Sequence, residues 1–236
     1  MAKSKSDFRC NECGWTTVKW VGRCGECQAW GTLDESTSSG QEVKAVRLSE
    51  SQTAKPITEI ESTASGHKPT GVNEFDRVLG GGLVPGAAIL LSGEPGVGKS
   101  TLLLEVAARA AKAGSRVLYV SAEESASQVK LRATRTGALT PNLYLANETD
   151  LGAVLGQFDA VKPEMIIVDS VQTISSAEID GAAGMPSQVR EVATNLIRLA
   201  KQNSVPLLLV GHVTKDGSIA GPRTLEHLVD VVCHFE

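Results

Sequence analysis

From residue 69 onward the chain alternates short apolar runs with longer amphipathic stretches. The apolar runs at 87–91, 116–120, 143–145, 165–168 and 206–210 read as strands. They lack polar alternation, which suits strands covered on both faces. Helical spacing predicts helices at 101–113, 126–136, 150–158 and 188–202. A short helix over 73–79 places Phe75, Val78 and Leu79 together and ends at Gly80-Gly81-Gly82. Alternating β and α units predict an α/β fold, a mostly parallel sheet flanked by helices. Ligands of such sheets bind at the carboxyl ends of the strands. Residues 1–68 lack this rhythm. The chain divides into a cysteine-rich segment, 1–33, a polar Ser/Thr/Glu/Lys stretch, 34–68, that reads as a flexible linker, and an α/β domain, 69–236. No internal repeat is visible.

Composition narrows the picture. Apolar residues make up 42% but aromatics only 4%, so Val, Leu, Ile and Ala must build the core. The formal net charge of −4 gives no global basic field, so any nucleic-acid contact must come from local loops. No apolar run approaches the roughly eighteen residues of a membrane span. Met1-Ala2-Lys3-Ser4-Lys5 lacks the apolar core of a signal peptide. The expected location is cytoplasmic, with no membrane partner and with reduced thiols.

The strongest chemical signal is Gly93-Glu94-Pro95-Gly96-Val97-Gly98-Lys99-Ser100, followed by Thr101. It fits the phosphate-binding P-loop, G-x-x-x-x-G-K-S/T, between a predicted strand and a predicted helix. Its glycines let backbone N–H groups converge on phosphate, and the helix N-terminus adds partial positive charge. Lys99 is expected at the β- and γ-phosphates and Ser100 on Mg²⁺. The apolar run ending in Asp169 supplies a second expected Mg²⁺ ligand. Glu123 and Glu124 follow the 116–120 strand, which is expected to lie beside the P-loop strand. Glu123 is the favoured base for the attacking water, with Glu124 the fallback and helix-dipole stabilisation the other reading. His212, after the 206–210 strand, reads as a γ-phosphate sensor or as a surface histidine. The loops 171–187 and 214–224 are long and glycine-bearing at the ligand end. In the second, Lys215 and Arg223 are candidates for contacting the phosphates of a single strand.

Cys10-x2-Cys13 and Cys24-x2-Cys27, ten residues apart, fit a tetrahedral Cys₄ zinc site of structural type. Trp15, Trp20 and Trp30 form either the small core of that segment or a binding face. Residues 1–30 carry five basic and three acidic side chains, which permits nucleic acid without requiring it. Cys233 reads as an ordinary buried thiol.

Together these motifs resemble the RadA (Sms) family of bacterial DNA-repair ATPases within the RecA-like superfamily. The resemblance rests on the Cys₄ knuckles with Trp30, Thr70-Gly71-Val72-x2-Phe75-Asp76-Arg77-Val78-Leu79-Gly80-Gly81-Gly82, the P-loop, Ser121-Ala122-Glu123-Glu124-Ser125 and Val210-Gly211-His212-Val213-Thr214-Lys215. It implies a RecA-like P-loop ATPase core with an N-terminal Cys₄ zinc finger, binding ATP/ADP, Mg²⁺ and Zn²⁺. It further implies a hexameric, helicase-like motor acting on single-stranded DNA and branched recombination intermediates beside the RecA recombinase. By resemblance Lys99, Ser100, Thr101 and Asp169 bind nucleotide and Mg²⁺, Glu123 activates water, and Lys215 and Arg223 line the DNA channel. Family members continue into a Lys-Asn-Arg-Phe-Gly motif and a Lon-protease-like domain, whereas this chain stops at Glu236. It is therefore expected to be C-terminally truncated, largely monomeric, and to bind ATP while hydrolysing it poorly. A KaiC-like signalling ATPase and an ATP-gated interaction module remain open alternatives on the motifs.

Overall fold

A computed structural model describes residues 7–36, 53–59, 66–212 and 222–236. The chain divides into two compact units, 1–61 and 62–236. Most of the predicted linker, and Lys215, lie outside the described residues.

The first unit is a three-stranded antiparallel sheet. Strand β1 (Asp7–Cys10) lies between β2 (Thr16–Thr17) and β3 (Leu33–Ser36). Pairing of Asp7 with Ser36 carries this sheet three residues past the boundary expected at 33. The unit is too small for a conventional core: Cys10, Cys24 and Leu33 are buried, with Phe8 and Trp15 packed against them. Gly25 admits the Trp15 ring, because a Cβ there would lie 2.9 Å from it.

The second unit opens with α1 (Asn73–Val78) and then alternates β4 (Ala88–Gly93), α2 (Lys99–Lys112), β5 (Val117–Ser121), α3 (Ala126–Arg135), β6 (Leu143–Ala146), α4 (Leu151–Val161), β7 (Met165–Asp169), α5 (Pro186–Asn203), β8 (Leu207–His212) and β9 (Val231–His234). The sheet order is β6-β5-β7-β8-β4-β9, with every pair parallel. Alternate strand residues feed two cores. Leu90, Leu118, Val120, Ile166 and Leu209 pack with α4 and α5. Ile89, Leu91, Tyr119, Ile167 and Val210 pack with α1, α2 and α3. Burial on both faces explains why these strands read as unbroken apolar runs. Helix starts follow local chemistry. Ser125 and Gln128 form a capping box on α3, Asp150 caps α4 by accepting from the Ala153 N–H at 2.9 Å, and Pro186 opens α5.

One expectation fails here. The strand bearing the glutamates does not lie beside the P-loop strand, because β7 and β8 separate β5 from β4. The first crossover passes over two strands that the chain adds later, and nothing in the composition of one strand names its neighbour.

The Thr70–Gly82 motif is structural. Asp76 accepts from the N–H groups of Thr70 (2.7 Å) and Gly71 (3.1 Å), tying the entry of the domain to α1. Gly82 has φ +131°, and a Cβ there would lie 2.4 Å from the Lys68 carbonyl oxygen. Gly82→Ala is expected to cost about 2–4 kcal/mol through backbone strain and overlap. A melting temperature lowered by about 5 °C or more in calorimetry would bear this out; an unchanged one would refute it.

Candidate functional site

The phosphate loop leaves β4 at Gly93 and enters α2 at Lys99. Gly96 and Gly98 have φ of +86° and +109°, which lets the loop close on itself. A Cβ at Gly93 would lie 2.2 Å from the Phe235 carbonyl oxygen, so the strand end also demands glycine. No side chain caps α2, which leaves its first N–H groups facing the loop. Glu94, Pro95, Gly96, Val97 and Thr101 are exposed, and Ser100 is half-buried. Lys99 is 3% exposed and donates to the carbonyls of Gly93 (2.8 Å) and Glu94 (2.7 Å). Burial pulls its pKa down, while the charges of Asp169 and Glu123 work against that pull.

Asp169 ends β7 and is 7% exposed. It accepts from the Tyr119 hydroxyl at 2.8 Å. Burial, then Asp169 itself, raises the Tyr119 pKa, so the phenol stays a neutral donor. Next to it, Ser170 donates to Oε1 of Glu123 at 2.5 Å, and the His212 Nε2 lies 3.0 Å from that same oxygen. The imidazole approach is a close electrostatic contact off the line of a good hydrogen bond, since neither His212 ring nitrogen has a well-directed partner among the described residues. The Glu123 pKa is lowered, chiefly by His212, with Ser170 and Lys99 adding to it and burial opposing. Glu123 is therefore a carboxylate at neutral pH, with Oε1 occupied and no hydrogen bond to Oε2 among the described residues.

Glu124 is placed differently. It pairs with Arg132 on α3, outside the Glu123–Ser170–His212 cluster. Its carbonyl accepts from Ser121 (2.8 Å) and Asn147 (2.9 Å), which fixes the turn after β5. Arg132 thus takes Oε1 of Glu124, the fallback base, while its Oε2 is buried without a hydrogen-bond partner among the described residues. Gln172, 5% exposed, grips the main chain of His212 on both sides, donating to its carbonyl at 3.0 Å and accepting from its N–H at 3.2 Å. Tyr119, Ser170 and Gln172 belong to this constellation but carry no sequence signal of their own; only their positions beside strand ends mark them. Arg223 is exposed, in a 3₁₀ turn at Pro222–Thr224. An apolar cavity of about 340 Å³, lined by Leu104, Tyr119, Val129, Leu139 and Leu143, contains none of the phosphate-loop residues.

In the first unit the Sγ atoms of Cys10, Cys13, Cys24 and Cys27 lie within 4.8 Å of one another. Cys10–Cys27 and Cys13–Cys24 are 3.7 and 3.5 Å apart. A tetrahedral zinc with Zn–S bonds of about 2.3 Å needs sulfur–sulfur edges of about 3.8 Å, so the four thiols fit that ion. Thr32, 3.2 Å away, leads in lowering the Cys10 pKa to about 6. The Ala29 backbone bond works downward on Cys27, but burial and the neighbouring sulfurs outweigh it and push it up to about 12. Four crowded sulfurs cannot all ionise without a cation among them.

The fold and the two sites define a RecA-like P-loop nucleotide-binding core accompanied by a four-cysteine zinc ribbon. Family comparison agrees: an AAA domain matches residues 73–218 and a rubredoxin metal binding domain matches residues 8–35. The chain belongs to the AAA domain family. It is 55% identical over 244 residues to the DNA repair protein RadA of Mycolicibacterium smegmatis, covering 100% of this chain and 52% of that protein. The RadA proteins of Mycobacterium tuberculosis and Streptococcus pyogenes are 54% and 47% identical, again over 100% of this chain and 50% and 52% of theirs. The resemblance read from the motifs is thereby shown. The chain spans about half the length of the curated relatives it matches. Among the described residues no helix is long and apolar enough to cross a membrane.

Proposed function

We propose that this chain is the ATP-hydrolysing part of a DNA-repair ATPase. The carrying observation is the convergence of Lys99, Asp169 and the Glu123–Ser170–His212 cluster at neighbouring strand ends. The triphosphate sits against the loop 93–100 and the N-terminus of α2. Lys99 exchanges its two loop carbonyls for phosphate oxygens. Ser100, Thr101 and Asp169 hold nucleotide and Mg²⁺, which neutralises charge building on the phosphates. Tyr119 keeps one Asp169 oxygen fixed. Ser170 holds Oε1 of Glu123, with the His212 ring close beside it, and Oε2 takes the proton of the water that attacks the γ-phosphate. His212 sits at the end of β8, paired with Gly93, where it can register the γ-phosphate.

The relatives' name supports a DNA-repair role. In the finer reading the ATPase drives a hexameric, helicase-like motor on single-stranded DNA and branched recombination intermediates, beside RecA. Lys215 and Arg223 then contact DNA, which stimulates turnover. The zinc is structural.

Lys99→Ala tests the site. ATP turnover, measured as phosphate release with and without single-stranded DNA, is expected to fall by about 10²–10³-fold. Retained turnover would remove the P-loop assignment. Turnover that is lost in the variant but never stimulated by DNA in the parent would keep the ATPase and discard the motor.

A further inference from the structure

The three tryptophans of the chain all lie in the zinc unit, but they do different things. Trp15 is half-buried and packs on Gly25 as part of the small core. Trp20 and Trp30 are 63% and 74% exposed, and Val18 and Val21 beside them are 59% and 37% exposed. Exposed indoles of this size have nothing to gain from water.

Their placement is specific. Arg23 and Trp30 pair as an antiparallel bridge across the second knuckle, closed by the Gly31 N–H donating to Gly22 at 3.0 Å and the Cys24 N–H donating to Ala29 at 2.9 Å. The knuckle Cys24–Cys27 is the turn of that hairpin. Both rings converge over Gly22: a Cβ there would lie 3.8 Å from Trp30 and 3.9 Å from Trp20. The Arg23 guanidinium lies 5.6 Å from the Trp30 ring centroid. Lys19 is exposed beside Trp20. From Gly14 to Gly25 the chain carries Lys19 and Arg23 and no acidic residue.

We propose that Trp20 and Trp30, flanked by Lys19 and Arg23, form a stacking platform for the bases of single-stranded nucleic acid, held in shape by the zinc knuckle. Every base offers a π-face to an indole, and the two cations meet the phosphates on either side of a stacked base. The charge between Gly14 and Gly25 is of the right sign, although Glu12 and Glu26 bound that stretch and residues 7–36 carry three basic and five acidic side chains. The choice of nucleic acid rests on the proposed DNA dependence of the ATPase; the face itself does not.

The test uses the whole chain, loaded with zinc. Because no tryptophan lies outside this unit, intrinsic emission reads this unit alone. Titration with a short oligo(dT) is expected to quench that emission. Binding followed by anisotropy of labelled oligo(dT) should weaken about tenfold or more in a Trp20→Ala/Trp30→Ala variant that still carries one zinc per chain. Trp30→Phe should recover part of the loss, and Arg23→Ala should lower the salt dependence by about one ion. Two results overturn the platform: emission that oligo(dT) leaves unquenched, or a double variant that binds as tightly as the parent. If oligo(dT) still binds in either case, the tryptophan face is left to a protein partner. Failure of the ATPase reading shows separately, as turnover that ignores both DNA and Lys99→Ala while quenching persists.

Discussion

Glu123→Gln should bind nucleotide as the parent does and lose ATP turnover by about 10²–10⁴-fold. The amide is nearly isosteric, and its oxygen can still accept from Ser170 at the position Oε1 now holds. What disappears is the lone basic oxygen left to water. Glu124→Gln makes the contrast: it weakens the pair with Arg132 and leaves the Glu123–Ser170 bond in place. Its turnover should stay within about twofold, with only a small loss of stability. The pH profile adds a signature. Because His212, Ser170 and Lys99 hold Glu123 below its ordinary value of 4.5, the base stays ionised throughout the neutral range. Turnover on the acid side should therefore stay flat on approach from neutrality and decline only below that ordinary value. Phosphate release measured beside fluorescent-nucleotide binding separates catalysis from affinity. Full activity in Glu123→Gln together with loss in Glu124→Gln would reverse the assignment of the two glutamates.

Removal of zinc should unfold the first unit outright while the second keeps its melting transition. Among the described residues this unit buries Cys10, Cys24 and Leu33, and two of those three belong to the four-cysteine cluster that fits zinc. An assembly of this size cannot offset its conformational entropy by apolar burial. Metal binding of about 10–16 kcal/mol can. A chelator, or Cys10→Ser, should therefore red-shift the tryptophan emission to that of solvated indole. The far-ultraviolet signal of the α/β unit should melt at the parental temperature, because its two cores lie wholly within residues 75–235. Native emission from metal-free protein would mean that the unit holds itself together without the ion.

The sequence carried much of this, unevenly. The five predicted strands and the P-loop were legible because each is local: a buried parallel strand needs an apolar run, and a phosphate loop needs its glycines and lysine in one order. The cysteine knuckles were legible for the same reason. Strand order was not. That β7 and β8 lie between β5 and β4 depends on pairings such as Val117 with Met165, Ile166 with Leu207 and Ala88 with Leu207, all far outside any local window. The different partners of Glu123 and Glu124 were also hidden, since that of Glu124 is Arg132, two turns along a helix. Ser170 and Gln172 were missed because serine and glutamine after an aspartate look like any loop. The three tryptophans could be sorted into core and face only once Gly25 and Gly22 showed which rings each accommodates.

The grip of Gln172 on His212 has a mechanical consequence. A side-chain amide that holds both the N–H and the carbonyl of one residue works as a rigid coupling rod, since neither bond can slip without breaking the other. Ser170, two positions before that rod, is fastened to Glu123, and the imidazole at its far end faces the same carboxylate. A displacement of His212 would therefore reach the Glu123 carboxylate through two linkages at once, one along the Gln172–Ser170 segment and one through the imidazole.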